Sequence, residues 1–293
     1  MKNIVVAALA VFALISCRST ATEAKPVRPA LWKVADADTT IYLFGTIHLL
    51  PETLDWQSPK IAAAMEQSDA LVLETVIADD PAKSGALMRE LGMSPGLPPL
   101  LERVPEDKRA GLRAMIDKVG VPLAVLDRFE TWAAALTLAS ASFKDLAVSP
   151  EFGAEPVLTR AFAKANKPVS GLETPAQQLG FFDSLPEAAQ RQFLASLADD
   201  SSNMQKEFDA MIAAWGTGDV KTIALTFDDE LKLSPELTEN LLRKRNRNWA
   251  AWIAERMDAP GTVFVAVGAG HLAGDESVDA LLRERGFRVS RVQ

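Results

Sequence analysis

Short runs of apolar, β-branched and aromatic residues stand far apart along the chain. They are Leu31–Val34, Thr40–Phe44, Ala70–Leu73, Pro168–Leu172, Thr262–Val267 and Phe287–Val292. Runs of this length, several bounded by Gly or Pro, predict strands. Between them apolar residues recur at three- and four-residue spacing, which predicts helices. The helical stretches are Pro59–Gln67, Glu106–Val119, Asp127–Phe143, Glu155–Asn166, Pro186–Ala198, Asn203–Trp215, Pro235–Met257 and Asp275–Arg285. Ser58 precedes Pro59 as a cap, and Gly286 is a plausible stop after the last helix. Strands near both ends and a helical middle predict an α/β fold, with α+β as the alternative. One domain over residues 31–293 is expected, with helical insertions at about 81–165 and 175–258.

The first residues have a different pattern. Met1-Lys2-Asn3 is a short positive start, and Ile4–Ile15 is a twelve-residue apolar run. That run is too short to span a bilayer and suits the core of a signal peptide. It ends in Leu14-Ile15-Ser16-Cys17, which resembles a bacterial lipobox, and Cys17 is the only cysteine. The expectation is a lipoprotein signal over 1–16, lipidation at Cys17 and a polar, Pro-containing tether over 17–30. A secretory signal cut after Ala21 or Ala24 is the alternative. The lipid reading places the protein in the bacterial cell envelope, on the periplasmic face of the outer membrane, with the lipid as its only membrane contact.

Composition narrows the function. The chain has 293 residues, 48% of them hydrophobic and 24% charged, an ordinary globular balance. A formal charge of −8 disfavours nucleic acid, whose phosphates need clustered Lys and Arg. A single cysteine leaves no internal disulfide and no CxxC metal knuckle. Nucleophile elbow, Walker, dinucleotide and HExxH motifs are absent.

The two histidines are more informative. Gly45-Thr46-Ile47-His48-Leu49 and Gly268-Ala269-Gly270-His271-Leu272 both follow predicted strands as GxxHL. Leu73-Glu74-Thr75 and Leu172-Glu173-Thr174 likewise repeat LET after apolar runs. Each half of the chain thus offers one GxxH and one strand-end Glu, in reversed order. Parallel strands would bring all four side chains to one rim, where α/β sheets bind ligands. Two imidazoles and two carboxylates suit a divalent ion (Zn, Mn, Co or Fe), which would polarise a carbonyl or activate water. His48, His271, Glu74 and Glu173 are the candidate ligands, with one glutamate as the alternative general base. A metal-free site, in which a His or Glu alone activates water, is the other option. Gly45, Gly268 and Gly270 would let a ligand approach closely, and the GAGH backbone could hold an oxyanion.

Other residues carry weaker signals. Arg243–Trp249 is either a solvated basic helix face, with Trp249 and Trp252 turned inward, or the source of an orienting arginine. Arg245 and Asn246 are the candidates within it. Glu155 reads as a favourable charge in a first helical turn. Tyr42, the sole tyrosine, reads as packing.

Taken together, LWKV, TIYLFGTIHLLP, LVLET, KPVSGLETPAQQL, RKRNRNWAAWI and VFVAVGAGHLAGDESVDALLRERGFRV resemble the TraB/GumN family. That family includes the TraB and PrgY pheromone-shutdown proteins and is related to the TIKI metalloproteases. The resemblance covers about residues 31–292. It implies an α/β fold of two related halves, akin to erythromycin-esterase and ChaN-like proteins. It carries function onto Gly45, His48, Glu74, Glu173, Arg245, Asn246, Gly268 and His271. The resemblance implies metal-dependent peptidase or hydrolase activity; with the lipobox, the reading is a lipid-anchored, metal-dependent, peptidase-like hydrolase acting on a peptide or small molecule, with Arg245 stabilising charge on the substrate. The alternatives are a ligand-, metal- or haem-binding lipoprotein and a metal-free esterase.

Overall fold

The computed structural model describes residues 25–76, 81–198, 204–231 and 234–293. The expected signal segment, Cys17 and the first part of the expected tether lie outside the described residues. A six-stranded sheet organises the rest. Its strands are β2 (Leu31–Ala35), β3 (Thr39–Thr46), β5 (Ala70–Thr75), β6 (Val169–Glu173), β7 (Gly261–Gly268) and β8 (Val289–Arg291). They lie in the order β6-β5-β7-β3-β2-β8. The neighbours β6, β5, β7 and β3 are all parallel, while β2 runs antiparallel to both β3 and β8. The fold is therefore α/β, and the four motif-bearing strands are the four parallel ones. Their C-terminal ends share one rim.

Alternation along the strands supplies two apolar faces. Phe264 and Ala266 of β7 join Tyr42, Phe44, Leu71 and Leu73 in one core. Helices Pro59–Gln67, Ala154–Lys164 and Met204–Thr217 cover that face. Val263, Val265 and Val267 point the other way, with Ile41, Leu43 and Val72, against Trp249, Ala250 and Ile253. The helix there is Lys244–Arg256. Three of the helices assigned by sequence to the insertions are thus sheet-covering layers. A separate helical cluster packs Leu112, Ile116, Ala134, Leu138 and Leu194 on one another. Arg103 is buried beside it and donates to the carbonyls of Pro98, Phe129 and Asp127.

The sequence patterns recover most elements and miss some. Pro59–Gln67 is as expected, with the Ser58 hydroxyl accepting from Ile61 N–H. The stretch 25–30 does not hang free as a tether. Lys25–Pro26 (β1) pairs with Leu54–Asp55 (β4), and Ala30 is buried. Helices Pro81–Leu91, Pro175–Asp183 and Val220–Leu231 were not anticipated. The helix expected over Pro235–Met257 is instead three consecutive pieces, Pro235–Thr238, a π-helical turn Glu239–Arg243, and Lys244–Arg256.

Candidate functional site

The rim splits into two clusters, and the register of the sheet explains the split. Gly45 and Gly268 open the two GxxH motifs, yet Gly45 pairs with Val267 and Gly268 with Thr46. The motifs are therefore one residue out of step. Strand side chains alternate faces, so a one-residue offset sends equivalent positions to opposite sides. His48 emerges towards the helix Ala154–Lys164 and His271 towards Lys244–Arg256. The LET motifs are also offset by one, Thr75 pairing with Glu173, yet at these strand ends both glutamates reach Arg245.

The buried cluster centres on Arg245, whose side chain is 10% exposed. Its Nε donates to both oxygens of Glu173 at 3.0 and 3.2 Å, and Nη2 to Glu173 Oε2 at 2.9 Å. Nη2 also donates to Glu74 Oε2. Nη1 reaches His271 Nε2 at 3.2 Å and the Leu241 carbonyl at 3.3 Å. The guanidinium lies 4.6 Å from the Trp249 ring centre and 5.5 Å from that of Phe181. Such stacking suits a planar, weakly hydrated cation.

The remaining contacts fix orientation. Asn246 Nδ2 donates to the Glu276 carbonyl at 2.8 Å, so its Oδ1 is left to accept from His271 Nδ1–H at 2.6 Å. His271 Nε2 is then the acceptor that faces Arg245. Trp249 Nε1 donates to Glu173 Oε1, and Gln178 Nε2 to Glu74 Oε2. Gly268 N–H donates to Glu74 Oε1 at 2.6 Å.

Electrostatics follow from these contacts. Burial works against the Glu74 carboxylate. His271, the Arg245 guanidinium, the Gly268 N–H and His48 outweigh it and hold the group down to about 2. Burial also opposes the charge on Arg245, but Glu74 and Glu173 hold its proton more firmly than usual. Burial dominates at His271, with Glu74 pulling the other way, and the imidazole is pushed down to about 4. His271 is therefore neutral at neutral pH.

The low value at His271 has a consequence for stability. Between its ordinary 6.5 and about 4, the unfolded chain binds a proton there that the folded chain refuses. Stability is complete above the upper value and is lost as pH falls towards the lower, by roughly 2–4 kcal/mol. Urea unfolding at pH 7 and pH 4.5 should show this loss, and His271→Asn should reduce it. An unchanged pH dependence in the variant would refute the assignment.

The outer cluster is His48 with Glu155. His48 Nδ1 lies 2.6 Å from Glu155 Oε1, and the imidazole is 73% exposed. Its hydrogen bond to Glu155 raises it to about 9, against a smaller burial effect. Gly153 makes the approach feasible. A Cβ there would lie 2.1 Å from the His48 carbonyl oxygen, and Ala154 N–H donates to the Ile47 carbonyl. Glu155 is thus a partner of His48 as well as a first-turn charge. The hydroxyls of Thr46 and Thr75, which end β3 and β5, are buried with no hydrogen-bond partner, as is Glu155 Oε2.

A model of the TraB/PrgY/gumN family matches residues 30–291. The chain belongs to that family. Among its relatives is the uncharacterized protein YbaP of Escherichia coli (strain K12), 23% identical over 258 residues, which are 87% of this chain and 92% of that one. The YbaP of Shigella flexneri is 24% identical over 245 residues, 83% of this chain and 87% of its own length. No solved structure matches significantly.

Family membership agrees with the strand-end motifs, but the arrangement differs from the one expected. The four proposed metal ligands do not form one set. Among the described residues no group of three or more His, Cys, Asp and Glu side chains is placed to hold a metal ion. His48 stands apart with Glu155, and Arg245 occupies the place between Glu74 and Glu173. Every N–H of Arg245 is engaged by the protein, so this arginine stabilises the chain's own carboxylates and has no donor left for substrate. Asn246 orients His271. Gly45 is closed to ligands, because a Cβ there would lie 3.0 Å from Ala269 Cα and its carbonyl accepts from Trp215 Nε1. Gly268 has already given its N–H to Glu74, and Gly270 is buried in the turn Ala269–Leu272. Tyr42 packs in the core and donates to Gln67.

Proposed function

We propose that the chain is a hydrolase of ester or amide bonds in which His48 moves the proton. The observation that carries this reading is the exposed imidazole at the strand-end rim, tied through Nδ1 to Glu155. An imidazole held by a carboxylate on one nitrogen and open on the other is the arrangement of a general base. Neutral His48 Nε2 takes a proton from water as the water oxygen bonds to the substrate carbonyl carbon. Glu155 stabilises the imidazolium that forms. The imidazolium then returns the proton to the leaving oxygen or nitrogen as its bond to carbon breaks, releasing a carboxylic acid and an alcohol or amine. The Arg245 cluster is the rigid wall beside this centre.

The test is turnover of p-nitrophenyl acetate and of a peptide p-nitroanilide by the full chain and by His48→Ala. His48 is exposed, so its loss should leave the fold intact while turnover falls by about 10²–10⁴-fold. Equal rates in the two proteins, or no turnover of either probe by wild type, would overturn the reading.

A further inference from the structure

Two carboxylates and the lone pair of an imidazole converge on one guanidinium. Glu74, Glu173 and His271 are oxygen and nitrogen donors of the kind that hold divalent ions. In this chain each of them is already held by donors of the protein, with Arg245 common to all three. Glu74 gives one oxygen to Gly268 N–H and the other to Arg245 and Gln178. Glu173 gives both oxygens to Arg245 and one also to Trp249. His271 has one nitrogen on Asn246 and the other on Arg245. An added divalent ion would meet the guanidinium at the point where these donors converge. Like charges at that distance in a buried site repel strongly.

We infer that Arg245 is the resident cation of this site, standing where a divalent metal would stand, so that the chain works without a transition ion at Glu74, Glu173 and His271. Three features support permanence. The side chain is buried, it lies between two aromatic rings, and its N–H groups are all bonded. A guanidinium keeps its charge at every physiological pH, and nothing has to be supplied from solution. The same geometry makes a positive prediction. Shortening Arg245 leaves two carboxylates and an imidazole facing the space the guanidinium vacates, so a metal site should be gained once these side chains close on an ion.

Elemental analysis and thermal unfolding test this without any substrate, so the result is independent of whether His48 turns over. The full chain, purified without a histidine tag, would be treated with chelator and then incubated with Zn²⁺, Mn²⁺ or Co²⁺. Wild type should retain no stoichiometric ion and show no shift in unfolding temperature. Arg245→Ala should unfold at lower temperature and be raised by one of these ions, with about one ion bound per chain. Methylguanidinium should raise it as well, by refilling the same space. A tightly bound ion in wild type that is lost in Glu74→Gln would overturn the inference, and this arm decides even if Arg245→Ala fails to fold. A folded Arg245→Ala that takes up neither ion nor methylguanidinium would overturn it too.

Discussion

Glu155→Gln is expected to move the rising, acid-side limb of the pH–rate profile from about 9 down towards the ordinary histidine value of 6.5. The sign follows from the pair. Glu155 favours the protonated ring, so the neutral base that accepts the proton from water becomes abundant only as pH rises towards 9. The neutral glutamine removes that bias. At pH 7 more of the variant's histidine is unprotonated, but each free base is weaker and less firmly oriented. The plateau above pH 9 should therefore fall by about 10–100-fold, while the activity near neutrality changes much less. The profile of kcat/KM against pH from 5 to 10 reads both effects. A limb that stays near 9 in the variant would separate Glu155 from the reacting base.

Arg245→Met should have the largest effect on folding, about 3–5 kcal/mol, because it leaves Glu74 and Glu173 charged and unpaired in the interior. The cost belongs mainly to the stranded carboxylates. Adding Glu173→Gln should therefore recover part of it, although Glu173→Gln alone destabilises wild type. A double-mutant cycle by urea denaturation measures this coupling, expected at about 1–3 kcal/mol. Additive effects would mean that Arg245 contributes through its contacts with Trp249 and Phe181 and not through charge.

The fold was legible in the sequence where alternation and spacing were clean. All six sheet strands were marked by apolar runs. The motifs GTIH, GAGH, VLET and GLET pointed to strand ends that the structure places on one rim. The core cluster was also marked: Glu74, Glu173, Arg245, Asn246 and His271 were all singled out. Their division of labour was not legible, because it depends on pairing register. A motif read along one chain carries no information on whether its copy sits one row higher in the neighbouring strand, and that row decides which helix each histidine meets. Glu155 was read as a helix-terminal charge because its partner is about a hundred residues away and the contact depends on the bare backbone of Gly153. Pro175–Asp183 was missed because Gly180 and two phenylalanines blur the helical period, although Thr174 and Gln177 form a capping box there. Val220–Leu231 begins with β-branched residues that weaken the helical signal.

The π-helical turn at Glu239–Arg243 immediately precedes the helix that carries Arg245. A turn of this kind holds one residue more than the regular helix around it. Each residue of an α-helix advances the azimuth by about 100°. The wide turn absorbs that residue, so the helix beyond it keeps the phase of a regular helix one residue shorter. It presents Arg245, Asn246 and Trp249 to the sheet while Arg243 and Arg247 pair with Glu276 and Glu239 outside. Deleting one residue from the turn should therefore leave this set facing the sheet, so the placement of the site's cation tolerates a change of chain length at this point.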